Sequence, residues 1–141
     1  MPFEARAIPP ATRWTGRVLS GLVVLFLLLD AGMKLVPLQP VIDAMQALGF
    51  SGADALARGL GVLLLACTLL YALPRTAPLG ALLLTGYLGG AIAVQLRAGN
   101  PWFSHVLFGG YLGVALWAGL LLRNVALRSL LLPTHLRRDT P

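Results

Sequence analysis

The chain has 141 residues, of which 57 % are apolar and 11 % charged, with a formal net charge of +6. A soluble domain carries roughly 25 % charged residues, and a surface with so few charges cannot face water, which excludes a soluble enzyme, a disordered chain and a nucleic-acid binder. Sixteen glycines without a collagen period and a single cysteine, Cys67, fit a polytopic membrane protein without an intrachain disulfide, CxxC pair or four-cysteine metal site.

The first apolar run is Val18–Val36. Arg13 and Arg17 before it could open a signal peptide. Asp30 and Lys34 follow, however, and no small-x-small cleavage site does, so the run reads as a retained span. Pro37–Asp54 holds Val41, Ile42, Met45 and Leu48 at helical spacing and predicts a short amphipathic helix at the interface. The second run, Ala55–Leu73, meets the third, Ala77–Leu96, through Pro74-Arg75-Thr76-Ala77-Pro78. Two helix breakers in so short a link predict a tight hairpin of antiparallel helices. Another short turn, Arg97–Trp102, leads to the fourth run, Phe103–Leu122. Each run has 19 or 20 residues, about 30 Å of helix, the thickness of a bilayer core. In the tail, Val125, Leu127, Leu130 and Leu131 alternate with Arg123 and Arg128, predicting an interfacial helix whose arginines reach lipid phosphates.

The expected fold is therefore all-α, a four-helix transmembrane bundle with antiparallel up-down neighbours. Its parts are an N-terminal segment (1–17), the membrane domain (18–122), and an interfacial helix with a tail (123–141). With both termini cytoplasmic, Arg6, Arg13, Arg17, Arg75, Arg123, Arg128, Arg137 and Arg138 face inwards and Lys34, Arg58 and Arg97 outwards, 8 against 3. The positive-inside rule favours that orientation. Trp14 and Trp102 sit where an aromatic belt places them. Gly86-Tyr87-Leu88-Gly89 recurs as Gly110-Tyr111-Leu112-Gly113, from duplication or from a shared need for close packing.

The run from Pro74 to Ala91, Pro-Arg-Thr-Ala-Pro-Leu-Gly-Ala-Leu-Leu-Leu-Thr-Gly-Tyr-Leu-Gly-Gly-Ala, resembles the DoxX-like family of small four-helix membrane proteins. Gly16-Arg17 at the first helix, Asp30, Gly32, Lys34 and Leu35 at its close, and Trp117, Gly119, Leu120 and Arg123 at the end of the fourth support the resemblance, which extends from about Gly16 to Pro133. It implies a multi-pass protein of a bacterial inner membrane, an accessory or anchor subunit with redox or quinone association, but carries no catalytic motif across.

Gly86 and Gly90, continued by Ala93, and Gly109 and Gly113 form small-xxx-small faces. These suit close helix packing or a ligand face left open. Asp30 and Lys34, at i and i+4, can pair; the pair is either structural or a proton or ligand site. Arg58, Gln95, Arg97 and His105 fall at the same outer ends, so these six residues are candidates for an outward polar pocket. His105, sharing a face with Gly109 and Gly113, is expected to point into the bundle, and Arg58 or Arg97 to approach the Asp30 carboxylate. Metal is not expected: His105 and Asp30 are two ligands, and His135 belongs to the other side. Haem lacks an axial histidine within the membrane, and no Walker loop, GxGxxG, nucleophile elbow or HExxH is present. The function readings are an accessory or anchor subunit working with redox-complex proteins or as a homo-oligomer, a small-solute carrier or channel, and an enzyme with an outer-leaflet pocket. No cofactor other than a quinone is expected, and no partner besides the bilayer and such proteins.

Overall fold

The computed structural model describes residues 9–131. Arg6, His135, Arg137 and Arg138 lie outside the described residues, as does the tail after residue 131. The chain is all-α, with α1 (Pro10–Leu35), α2 (Gln39–Ala47), α3 (Ala53–Ala72), α4 (Ala77–Arg97), a wide π-type turn (Trp102–Val106), α5 (Leu107–Arg123) and α6 (Val125–Leu131). Four helical stretches are long and apolar enough to span a membrane: α1, α3, α4, and α5 together with its π turn.

Helix α1 starts eight residues before the first apolar run. Pro10 occupies its first turn, where the missing N–H leaves no bond unmade. Its 26 residues reach about 39 Å, more than a hydrocarbon core. Helix α2 forms where the amphipathic spacing predicts it. Met45 is buried with Ala53 and Ala57 of α3, and Val41 and Ile42 pack alongside. Two helices stop by the same device. Gly49 and Gly99 take φ of +86° and +69°, and the following N–H groups of Phe50 and Asn100 bond back to the Met45 and Gln95 carbonyls. This is a Schellman close, which glycine adopts without steric strain.

The helices pack as a ring in which α1 and α4 each touch α3 and α5. The start of α1 lies beside the end of α5 at Gly16 and Arg123, and the end of α1 lies against α3 at Lys34 and Gly61. The start of α4 meets the end of α3 at Gly80 and Tyr71, and the end of α4 meets the start of α5 at Ile92 and Gly109. Val23, Leu27, Leu64, Tyr71, Leu84, Leu116 and Leu120 fill the core. The outside stays apolar: Val18, Leu22, Leu25, Val62, Leu82 and Val114 are all exposed, a surface suited to lipid and not to water.

Candidate functional site

The bundle has two chemically different ends, called here the Lys34 end and the Arg123 end. At the Lys34 end, Asp30 and Lys34 extend the buried stripe Ser20, Val23, Leu27, Ala31 of α1. They form a direct hydrogen-bonded ion pair, with side chains 28 % and 16 % exposed. One turn of separation places both heads on the same face, and mutual neutralisation lets them sit in an apolar wall. Gly61 of α3 makes room for this end of α1. A Cβ there would lie 3.0 Å from both the Leu35 nitrogen and Lys34 Cβ.

The other expected pocket residues do not converge on Asp30. Arg58 pairs with Asp54 at 3.4 Å, both well exposed; an acid one turn earlier on the same helix is a nearer partner than one on α1. Gln95 accepts a hydrogen bond from Asn100. The Arg97 guanidinium lies over Gly49, so it braces the α2–α3 loop. Among the described residues, Lys34 is the cation within ion-pair distance of Asp30. His105 is exposed and shares a 2.7 Å hydrogen bond with Ser104 through Nδ1. The expectation that it faces into the bundle fails because the π turn puts extra residues into that turn, which breaks the helical register linking His105 to Gly109 and Gly113.

The glycines also divide. Gly109 packs closely, with Ile92 Cγ1 2.9 Å from the place of a Cβ, and Gly113 is 3.9 Å from Leu88 in the same sense. Gly86 and Gly90 meet nothing within 4 Å, because their face of α4 turns away from α3 and α5. The close approaches lie elsewhere. A Cβ on Gly80 would come within 2.6 Å of Tyr71 Cα, on Gly16 within 2.8 Å of Leu122 Cβ, and on Gly119 within 2.6 Å of Ser20 Oγ.

Those three glycines surround the most organised part of the molecule, at the Arg123 end. Tyr71 is fully buried. Its hydroxyl donates to the Leu116 carbonyl at 2.8 Å and lies 3.0 Å from Ser20 Oγ. Arg123 donates from Nη2 to the Tyr71 carbonyl at 2.9 Å, and its guanidinium carbon stands 5.0 Å from the Tyr71 ring centroid. The buried Arg123 Nε has no hydrogen-bond partner; the ring stacked on the guanidinium supplies a cation–π contact in its place. Thr76 Oγ1 donates to the Leu70 carbonyl at 2.7 Å. Two open carbonyls at the end of α3 are thereby satisfied, as a helix end away from water requires. Arg123, expected from the sequence to reach lipid phosphates, instead turns in to close the end of α3, and the roles of Ser20 and Tyr71 are new in the structure. The available signal was a pair of polar residues inside apolar runs, a costly placement unless they bond each other.

Between α4 and α5 runs an outward-opening groove of about 570 Å³, lined by Thr85, Leu88, Gly89, Gly110, Gly113 and Trp117 among others. Trp117 Nε1 donates to Thr85 Oγ1 across it at 2.9 Å. Val114, also in its lining, is 72 % exposed.

The model of the DoxX-like family matches residues 18–119, from the third turn of α1 to the Gly119 contact of α5. No curated protein and no solved structure matches the chain.

Proposed function

The chain belongs to the DoxX-like family, and from that membership we propose that it serves as an integral accessory or anchor subunit of a bacterial inner membrane, working with a redox or quinone-linked partner. One observation carries the reading. Polar side chains along the spans are satisfied within the bundle, Tyr71 by Ser20 and the Leu116 backbone carbonyl and Asp30 by Lys34, while the outward faces are apolar. Such a body offers a partner a membrane-embedded surface.

In this reading both termini are cytoplasmic, so the Arg123 end faces the cytoplasm and the Lys34 end faces outwards. Residues 1–17 form a cytoplasmic segment, 18–122 the membrane domain, and 123–141 an interfacial helix and tail. Asp30 and Lys34 meet a quinone-like or anionic head at the outer leaflet, with Arg58, Gln95, Arg97 and His105 at the same end of the bundle but apart from the pair. Gly86 and Gly90, open on α4, serve a helix from outside this chain, either a partner's or a second copy's.

Purification in mild detergent, with mass spectrometry of co-purifying proteins and extraction of quinones, tests the reading. A stoichiometric partner or a retained quinone supports it. Isolation of the chain alone, together with solute flux in liposomes or turnover of a substrate, overturns it in favour of a carrier or an enzyme.

A further inference from the structure

The distribution of charge and the α4–α5 groove converge on one ligand. The Arg123 end gathers Arg13 and Arg17 from the start of α1, Arg75 from the α3–α4 link, Arg123 from the end of α5, and Arg128 from α6. The described carboxylates, Asp30, Asp43 and Asp54, all belong to the opposite end, where they stand among Lys34, Arg58 and Arg97. Arg123 is committed to Tyr71. Arg13, Arg17, Arg75 and Arg128 are exposed and have no acidic counterpart among the described residues at their end.

The Leu121 end of the groove lies at the same end of the bundle as these arginines. The Thr85–Trp117 bond and the Ile92–Gly109 contact set a register in which Leu121, at the groove's end, stands level with the first turn of α4. Arg123, two residues on along α5, therefore lies about 3 Å beyond it, and Arg75, two residues before the start of α4, lies past the end of the groove. From Leu121 to Gly109, the groove's extent along α5, the helix rises about 18 Å, and one leaflet of hydrocarbon is about 15 Å deep. The groove thus has the length of a single lipid tail. Its floor has space for one: a Cβ at Gly89 or Gly110 meets nothing within 4 Å.

We propose that this groove seats one acyl chain of an acidic phospholipid from the leaflet at the Arg123 end, with the phosphate held by Arg75 and Arg128. The charges select this occupant. A second copy inserted in the same direction would set one arginine cluster against another. A zwitterionic lipid fills the groove but leaves the cations without a net counter-charge. The inference depends on the membrane-spanning bundle and not on the accessory-subunit reading, so loss of a partner protein would leave it standing.

The test uses the full chain in mild detergent, titrated with phosphatidylglycerol or with phosphatidylcholine of the same acyl chains. Melting temperature and lipid retained in native mass spectrometry are read together. Phosphatidylglycerol should raise the melting temperature saturably and remain as a one-lipid adduct, and phosphatidylcholine should do so less. Removing both cations as Arg75→Gln with Arg128→Gln should weaken phosphatidylglycerol roughly thirtyfold, at about 1 kcal/mol per basic residue near the surface, and leave phosphatidylcholine unchanged. Gly89→Leu, at a position with room for a side chain, should abolish the adduct while the apo protein melts as before; Gly110→Leu should do the same and serves if the first variant expresses poorly. Equal binding of the two lipids overturns the phosphate assignment. An adduct that survives both glycine variants overturns the groove. Glycerol phosphate matching the stabilisation by phosphatidylglycerol shows a headgroup site alone and overturns the acyl-chain seat. A wild-type dimer that Gly89→Leu dissociates makes a second copy the occupant and also overturns the proposal.

Discussion

Alanine substitution at Gly80 and at Gly86 should have opposite effects, although the two glycines are six residues apart on the same helix. At Gly80 an added Cβ would lie 2.6 Å from Tyr71 Cα and 2.7 Å from the Leu70 carbonyl carbon. Both are backbone atoms of α3, held by the hairpin and by the Tyr71 hydrogen bonds, so neither can rotate away. The helices must separate by several tenths of an ångström just where the core is most organised. Overpacking of this kind costs about 1–3 kcal/mol, and backbone-to-backbone contact puts Gly80→Ala at the upper end. Against that stands a gain in helix propensity of at most about 1 kcal/mol, for a net loss of about 2 kcal/mol. At Gly86 nothing lies within 4 Å, so Gly86→Ala keeps only the gain. Cys67, buried and the single cysteine, provides the assay: a thiol-reactive fluorophore reports its exposure as the detergent-solubilised protein is heated. Gly80→Ala should melt roughly 5–10 °C lower, and Gly86→Ala no lower than the wild type. Equal shifts, or a larger loss at Gly86, would refute the helix pairing described here.

Tyr71→Phe removes two buried hydrogen bonds and should destabilise by about 1–2 kcal/mol, with the loss not increased when Ser20→Ala is added; additive losses would mean the two hydroxyls do not interact. Lys34→Met strands a half-buried carboxylate and should destabilise by about 1–3 kcal/mol, less than the roughly 3–5 kcal/mol for a fully buried pair, whereas Asp30→Asn, leaving a lysine able to snorkel, should lose about 1 kcal/mol or less. Thermal melts compare the two, and the reverse order would contradict the inward placement of Asp30. Reporter fusions at the C-terminus should be active only with a cytoplasmic reporter and those after Gly49 only with a periplasmic one; the opposite pattern would invert the proposed orientation.

The helices were legible from composition because a span must satisfy its backbone internally and face lipid with apolar side chains, which needs about twenty such residues whatever they touch. The α3–α4 hairpin was legible from Pro74 and Pro78, and α2 from the spacing of Val41, Ile42 and Met45. Two features were not legible. The beginning of α1 carries Thr12, Arg13 and Arg17, polar residues that an apolar-run criterion stops at, although Gly16 among them is buried against α5. The glycines that pack could not be told from those that do not, since Gly80, Gly86 and Gly90 differ only in which side of α4 they occupy, and a single sequence does not say where α3 and α5 will stand. His105 failed differently. The inference used a regular helical period across a segment that the structure winds as a π turn.

The two ends of the bundle use their polar residues in different ways. At the Arg123 end, Gly16, Gly80 and Gly119 bring backbones together, Tyr71 ties α3 to α1 and α5, and Arg123 closes the end of α3. The cations left over are exposed and all of one sign. At the Lys34 end the pairs are local, Asp30 with Lys34 and Asp54 with Arg58, each one turn apart on its own helix. Local pairs hold no two helices together, so what joins the elements there is apolar packing: α2 on α3, α3 against α1 at Gly61, α4 against α5 at Ile92 and Gly109, and Phe26 of α1 against Phe108 of α5. An end tied by buried interhelical bonds opens only with their loss, whereas one joined by apolar packing can part without breaking an interhelical hydrogen bond. The Lys34 end is therefore the one where local opening costs fewer interhelical hydrogen bonds.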